Sequence, residues 1–354
     1  MRAFTVTAGG RIASALLLVA LVASGMPVQA ADEPHTFVDW KTVPQSQAPD
    51  RLAEVVCELE TLLSQQAILV LPLQMQAPRP ADTWNLHGYL TKTLDGLLKA
   101  DGMMVVDAAA CMGQIRGIEG RYDKLAPKLV IELAKAAKAS LVLAPMTLKG
   151  GKPAIQFTAY EGRTGKPKQM LVVNLKPTDL DYLACTPPAN RAFIQWCERN
   201  YDKKIDRGEC WDVPAKGIPA VGSSWGPDGF DFGRQLDVGE TPFPGDPLAT
   251  KDRRHTMVTY EFKGEGKITI LHQNWNWGAE SGRKIGWGSG TLDGHDFWRV
   301  RPRQGEKFED ILVAARARPK QQRGVTKPKV QRVEQQPARD AAPKPTEAAA
   351  LSPE

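Results

Sequence analysis

The sequence predicts an α+β protein of two domains, an N-terminal α/β sandwich with a mixed sheet of about five strands and a C-terminal α+β domain with a small antiparallel sheet. Between residues 50 and 176, apolar residues recur alternately at helical and strand spacing, in the order helix, strand, helix, strand, helix and then three strands. A stretch carrying Pro177, Pro187 and Pro188 then interrupts both periodicities. Beyond it, two β-branched runs face each other across the turn residues Gly264-Glu265-Gly266.

Each element has its own signal. Leu52, Val55, Val56, Leu59, Leu62 and Leu63 place a helix over residues 49–65. Residues 67–73, Ala-Ile-Leu-Val-Leu-Pro-Leu, form a short apolar strand, and Leu86, Tyr89, Leu90, Leu94, Leu97 and Leu98 mark a second amphipathic helix over 84–100 that Asp101-Gly102 closes. Residues 103–107 read as a strand and 125–139 as a helix. The runs 140–148, 152–161 and 168–175 are separated by Gly150-Gly151 and Arg163-Thr164-Gly165, turn chemistry that makes them an antiparallel meander. Residues 177–190 read as a linker, and Phe193, Ile194, Trp196 and Cys197 as one face of a helix over 191–201.

The ends carry addressing rather than fold. Arg2 and Arg11, the apolar run 13–23 and the small-x-small site Val28-Gln29-Ala30 have the layout of an export signal over residues 1–30. A periplasmic or secreted location in a bacterial envelope is expected, with residues 31–49 as a linker and no transmembrane span after signal removal. Residues 304–354 are Pro-, Ala- and Lys/Arg-rich and read as a disordered basic tail, apart from a short helix at 308–315. Much of the excess behind the formal net charge of +6 sits there, and no basic motif interleaved with aromatics occurs in the folded parts, so nucleic acid is not an expected partner. In an oxidising compartment the five cysteines pair most economically as Cys57–Cys111 and Cys185–Cys197, leaving Cys210 as a thiol. No Cys/His spacing suits a metal, and no cofactor is expected.

The chemistry-bearing residues lie between 190 and 303. Gly208-Glu209-Cys210-Trp211 puts a thiol at the start of a candidate helix. His255 opens one β-branched run, and Leu271-His272-Gln273-Asn274 ends the other. A two-residue turn at Gly264-Glu265 pairs Met257 with His272 and His255 with Asn274, leaving His272 diagonal to His255 on the same strand face. Pro214, Gly217 and Pro219 should end the helix after Cys210 within about two turns. Trp275, Trp277, Trp287 and Trp298 read as core and rim packing, and Asp246 as a turn cap.

These residues, with Phe232-Gly233-Arg234, Pro244-Gly245-Asp246, His255-Thr-Met-Val258 and Trp298-Arg-Val-Arg-Pro302, resemble the CHAP family, papain-like cysteine- and histidine-dependent amidohydrolases of the NlpC-type class, over residues 191–303. The resemblance implies Cys210 as nucleophile, His255 as general base and His272 or Asn274 as the orienting group, acting on peptidoglycan or another cell-wall peptide. Residues 50–176, through Ala67-Ile-Leu-Val-Leu-Pro-Leu73, Leu98-Lys-Ala-Asp-Gly-Met-Met-Val-Val-Asp107 and Ala159-Tyr-Glu-Gly-Arg-Thr-Gly165, resemble the TolB N-terminal, FlgO and CsgG-type envelope domain. That likeness implies a non-catalytic module with an envelope protein partner. The expected function is a thiol-dependent amidase or endopeptidase; the alternative is an inactive envelope scaffold or binding protein with a decayed cysteine site.

Overall fold

The computed structural model describes residues 35–63, 66–76, 84–150, 152–226, 229–274, 283–318 and 325–326. The expected signal segment, Trp275, Trp277 and most of the expected tail lie outside the described residues. Among the described residues, no helix is long and apolar enough to cross a membrane.

The N-terminal unit is built from α1 (Ala48–Leu63), β1 (Ala67–Val70), α2 (Leu86–Ala100), β2 (Met104–Val106), α3 (Met112–Arg116), α4 (Pro127–Ala137), β3 (Leu141–Thr147), β4 (Ala154–Glu161) and β5 (Pro167–Asn174). Strands β2, β1 and β3 run parallel, and β3, β4 and β5 form the expected antiparallel meander. Side chains alternate across a strand, and helices cover both faces of this sheet. Ile68 and Val70 join the core under α1 and α2, while Leu69 and Leu71 join the core under α4. This explains why residues 67–71 are apolar without a break.

The C-terminal unit contains α5 (Pro188–Arg199), α6 (Asp212–Ala220), β6 (Gly233–Gln235), β7 (Pro247–Thr250), β8 (Thr256–Gly264), β9 (Lys267–His272), β10 (Gly286–Thr291) and β11 (His295–Val300). Its sheet is wholly antiparallel, in the order β10-β9-β8-β7-β11-β6. The two-domain α+β class expected from periodicity is the class observed. α5 and α6 cover the face of Val258, Leu271, Trp298 and Val300. The opposite face carries a smaller cluster of Leu248, Met257, Ile268, Ile270 and Phe297.

Both segments read as linkers are structural. Trp40 is 6% exposed within the core of the C-terminal unit, its indole N–H donating to Glu198 at 2.9 Å, and the Val38 N–H donates to the Tyr260 hydroxyl. In the 177–190 stretch, Asp179 is fully buried and accepts from Arg51 Nε at 3.0 Å and from the Gln47 and Lys176 N–H groups at 2.7 and 2.8 Å. The prolines were a correct signal of interrupted periodicity but not of a flexible tether.

Past residue 303 the chain returns to the N-terminal unit as α7 (Phe308–Ala317), packed on α1 and α2 through Phe308, Ile311, Leu312 and Ala315. Gly96 of α2 makes room for it, since a Cβ there would sit 2.4 Å from the Phe308 ring. Arg316 pairs with Asp101 and Glu60, and Arg318 with Asp50 and Glu54. The short strand β12 (Val325–Thr326) then extends the sheet beside β5.

The disulfide expectation is corrected: all five cysteines are thiols. Cys57 packs against the core under α1, whereas Cys111 belongs to the core on the other face of the same sheet, so the sheet stands between them. Cys185 donates to the Asp179 carbonyl at 3.3 Å, while Cys197 is buried in the core of the C-terminal unit. Burial pushes the Cys185 thiol up to about 12 and the Cys197 thiol well above its ordinary value.

Candidate functional site

The β8–β9 hairpin positions the imidazoles. Its tight turn is Glu265-Gly266, one residue later than expected, with Gly264 paired to Lys267 and both turn residues at positive φ (49° and 72°), as a type I′ turn requires. Two irregularities in the ladder, between Thr259 and Glu261 and between Phe262 and Gly264, absorb the offset. Met257 therefore still faces His272, the register that places the two histidines together. His255 Nε2 lies 2.9 Å from His272 Nδ1.

Burial pushes both rings down, His255 to about 4 and His272 to about 3. Nearby rings add to the effect, His295 on His255 and His255 on His272. His295, on β11, is held by the Thr291 carbonyl at 2.7 Å and is itself lowered by burial. A pair of imidazoles so placed is neutral at physiological pH.

Room for these rings comes from Gly286-Trp-Gly288-Ser-Gly290 on β10. A Cβ at Gly288 would sit 2.7 Å from His272 Nε2, and one at Gly290 would sit 3.2 Å from His295 Cε1. Alternating glycines on a strand next to a histidine-bearing strand were the unread signal for this packing. Gly288→Ala is expected to displace His272 and to cost about 1–3 kcal/mol. Urea unfolding measures that loss, and an unchanged midpoint would contradict the contact.

Cys210 precedes α6 by two residues, with Trp211 as the capping position. The helix runs for nine residues. Pro214 falls in its first turn, where it is tolerated, and Gly217 lets the helix approach α5, since a Cβ there would lie 2.3 Å from the Phe193 ring. The half-buried Cys210 sulfur is faced by the backbone N–H groups of Thr256 and Trp211, but burial outweighs them and pushes the thiol up. Its loop is pinned by two groups. Asp212 accepts from the Glu209 N–H at 3.0 Å, and Gln273, fully buried, accepts from the Ile205 N–H at 2.8 Å while donating to the Glu209 carbonyl at 2.8 Å. Gln273 was missed in the sequence because its neighbours in Leu-His-Gln-Asn carried the motif.

The structure thus brings His255 and His272 into direct contact and sets Cys210 at the N–H of the residue after His255. Asn274, at φ 60°, donates to Glu209 Oε2 at 2.9 Å, and no hydrogen bond joins it to either imidazole among the described residues. By strand alternation the imidazoles share the sheet face of Met257 and Ile270, whereas α6, which carries Cys210 at its head, covers the face of Val258 and Leu271. Among the described residues, no group of three His, Cys, Asp or Glu side chains is placed to hold a metal.

Trp287 packs edge-on against Tyr260 and stacks with His35, and Trp298 lies in the core beside Phe232. Asp246 does more than cap its turn. Besides accepting from the Phe243 N–H at 2.7 Å, it is fully buried and holds Arg299 Nε at 2.8 Å.

Fold and site together define an α+β protein with a buried pair of imidazoles and a half-buried thiol. No family model matches the chain, and no curated protein matches it. Among solved structures, it is similar to the LpoB C-terminal domain from Escherichia coli, at 15% identity over 36% of this chain and 98% of that one, with a TM-score of 0.29. It is also similar to lipoprotein GNA1162 from Neisseria meningitidis, at 17% identity over 30% of this chain and 80% of that one, TM-score 0.24. A third is the hypothetical protein CT253 from Chlamydia trachomatis, at 16% identity over 31% and 71%, TM-score 0.23. None of these carries a CHAP or NlpC-type name, nor one of the TolB N-terminal, FlgO or CsgG-type domain. The family assignments read from short motifs are corrected accordingly, for Gly-Glu-Cys-Trp and Pro-Gly-Asp serve here as loop and packing devices.

Proposed function

We propose that this is an exported protein of the bacterial envelope that acts by binding, with Cys210 and the imidazole pair of its C-terminal unit as a decayed or structural site. The observation that carries this reading is that the two imidazoles pair with each other, His255 Nε2 lying 2.9 Å from His272 Nδ1, while the Cys210 sulfur faces the N–H groups of Thr256 and Trp211. In keeping with it, the thiol is pushed up and both imidazoles are pushed down, which opposes a resting thiolate–imidazolium pair. The envelope location rests on the export-signal layout of residues 1–30. The N-terminal unit is the surface assigned to an envelope protein partner.

A second reading keeps a hydrolase. In it Cys210 attacks an amide of a cell-wall peptide, His255 moves the proton, and His272 orients His255, a role the 2.9 Å contact favours over Asn274. Intact sacculi incubated with wild type and with Cys210→Ala separate the two readings. The binding reading expects equal release of soluble fragments, at the level of buffer. Release by wild type at least tenfold above the variant would establish the hydrolase and overturn the binding reading.

A further inference from the structure

On the α4 side of the N-terminal sheet, an open groove of about 470 Å³ runs between α4 and the β4–β5 turn. Two glycines let the turn lie flat on the helix. A Cβ on Gly162 would sit 2.7 Å from the Ala134 Cβ, and Gly165, at φ 69°, leaves no room for one against the Pro127 backbone. Helix and turn therefore present their charged side chains next to each other. Lys135 comes from α4, Arg163 and Lys168 come from the turn and the start of β5, and Glu161 is the one carboxylate on the groove. Both oxygens of Glu161 are in use, Oε1 pairing with Lys168 at 3.4 Å and Oε2 accepting from the Thr164 hydroxyl at 2.5 Å.

Three cations against one carboxylate leave the groove positive, and all three are exposed, so an outside anion reaches them. Lys128 and Lys166, on the same helix and turn, are exposed too, while Glu132 is the one carboxylate of α4. Ile131, 37% exposed, stands on the groove among these side chains. An aliphatic group ringed by long cationic ones suits a surface that is anionic at its rim and apolar just beneath, because Lys and Arg stems lie along apolar material while their heads reach charge. A bilayer of anionic phospholipid has that layering. The other face of the sheet has the reverse charge, for α1 carries Asp50, Glu54, Glu58 and Glu60 against Arg51 alone. Charges sorted by face in this way turn α4 toward an anionic surface and α1 away from it.

We propose that the groove between α4 and the β4–β5 turn docks the protein on a membrane surface of anionic phospholipid, with a headgroup phosphate between Lys135 and Arg163 and Ile131 entering the interface. The site belongs to the N-terminal unit and stands whether or not Cys210 is reactive. The choice of a bilayer rests on the envelope location proposed above, whereas vesicle binding reads the surface itself, so the two fail separately.

Co-sedimentation of the chain from Ala31 onward with phosphatidylcholine vesicles, with and without about a third phosphatidylglycerol, tests the proposal at constant ionic strength. Affinity for the anionic vesicles at least tenfold above that for the neutral ones is expected. One cation at an anionic membrane is worth about fivefold, so Lys135→Gln combined with Arg163→Gln should weaken binding about twentyfold. Lys149→Gln combined with Lys152→Gln removes the same charge from the β3–β4 hairpin, at the opposite end of β4, and should change binding less than twofold. Ile131→Ser should weaken it at least threefold. The residues changed are exposed, and cooperative urea unfolding checks that each variant is folded. Equal binding to neutral and anionic vesicles, or an equal loss in the two double variants, would overturn the site. So would binding to polyglutamate as tight as to the anionic vesicles, because the partner would then be an acidic polypeptide.

Discussion

Asp246→Ala is expected to destabilise the protein by about 3–5 kcal/mol, the usual cost of removing one partner from a buried ion pair. The carboxylate is fully buried and accepts from Arg299 Nε, from Asn190 Nδ2 at 2.6 Å and from the Phe243 N–H at 2.7 Å. Truncation strands a guanidinium, an amide and a backbone donor together, the amide and the backbone donor belonging to fully buried residues. The local backbone adds to the demand. Gly245 stands at φ 83°, and a Cβ on it would come 2.3 Å from the Asn190 carbonyl, so the chain cannot move to bring another acceptor in. Asp246→Asn, which keeps the shape and one acceptor, should lose less than Asp246→Ala. Urea unfolding of the three proteins measures this, and a loss under 1 kcal/mol for the alanine variant would mean that the pair is not desolvated as described.

The same residue shows what a sequence can and cannot disclose. Pro244-Gly245-Asp246 reads as a turn with a capping carboxylate, and the cap to Phe243 is there. Its second role depends on Arg299, 53 residues away on β11, and no local pattern encodes that pairing. The first sheet was legible because each of its strands and helices carries its own periodicity. The hairpin register at the site was legible for a less secure reason, since two ladder irregularities cancelled a turn placed one residue early. The face of the imidazoles relative to α6 was not legible, because a motif read along the chain carries no information on which side of the sheet the preceding helix packs. The cysteine pairing failed similarly: Cys57 and Cys111 are close in sequence to the same strands but occupy opposite sides of them. Proline clusters misled at 177–190, where Pro177 opens a short 3-10 turn that delivers Asp179 into the interior.

Acid is expected to weaken the fold through the histidine pair. In the unfolded chain each imidazole takes a proton near pH 6.5, whereas the folded protein holds His255 near 4 and His272 near 3. A folded value below the unfolded one means that the unfolded state binds more protons between these limits. Stability is therefore fully present above about pH 6.5 and is lost progressively as the pH falls toward 4 and below. For the pair, the loss by pH 4.5 is on the order of 5 kcal/mol. The buried Asp246 carboxyl works in the opposite sense, because burial raises it and acidification then favours the folded state. A variant carrying His255→Gln and His272→Gln retains Asp246 and His295, so the difference between it and wild type isolates the two imidazoles. Urea unfolding of both proteins at pH 7.5, 6.0 and 4.5 should show the wild type losing about 5 kcal/mol more than the variant across that range. A difference constant with pH would show that the rings are solvated in the folded protein, and it would remove the desolvation on which their neutral resting state rests.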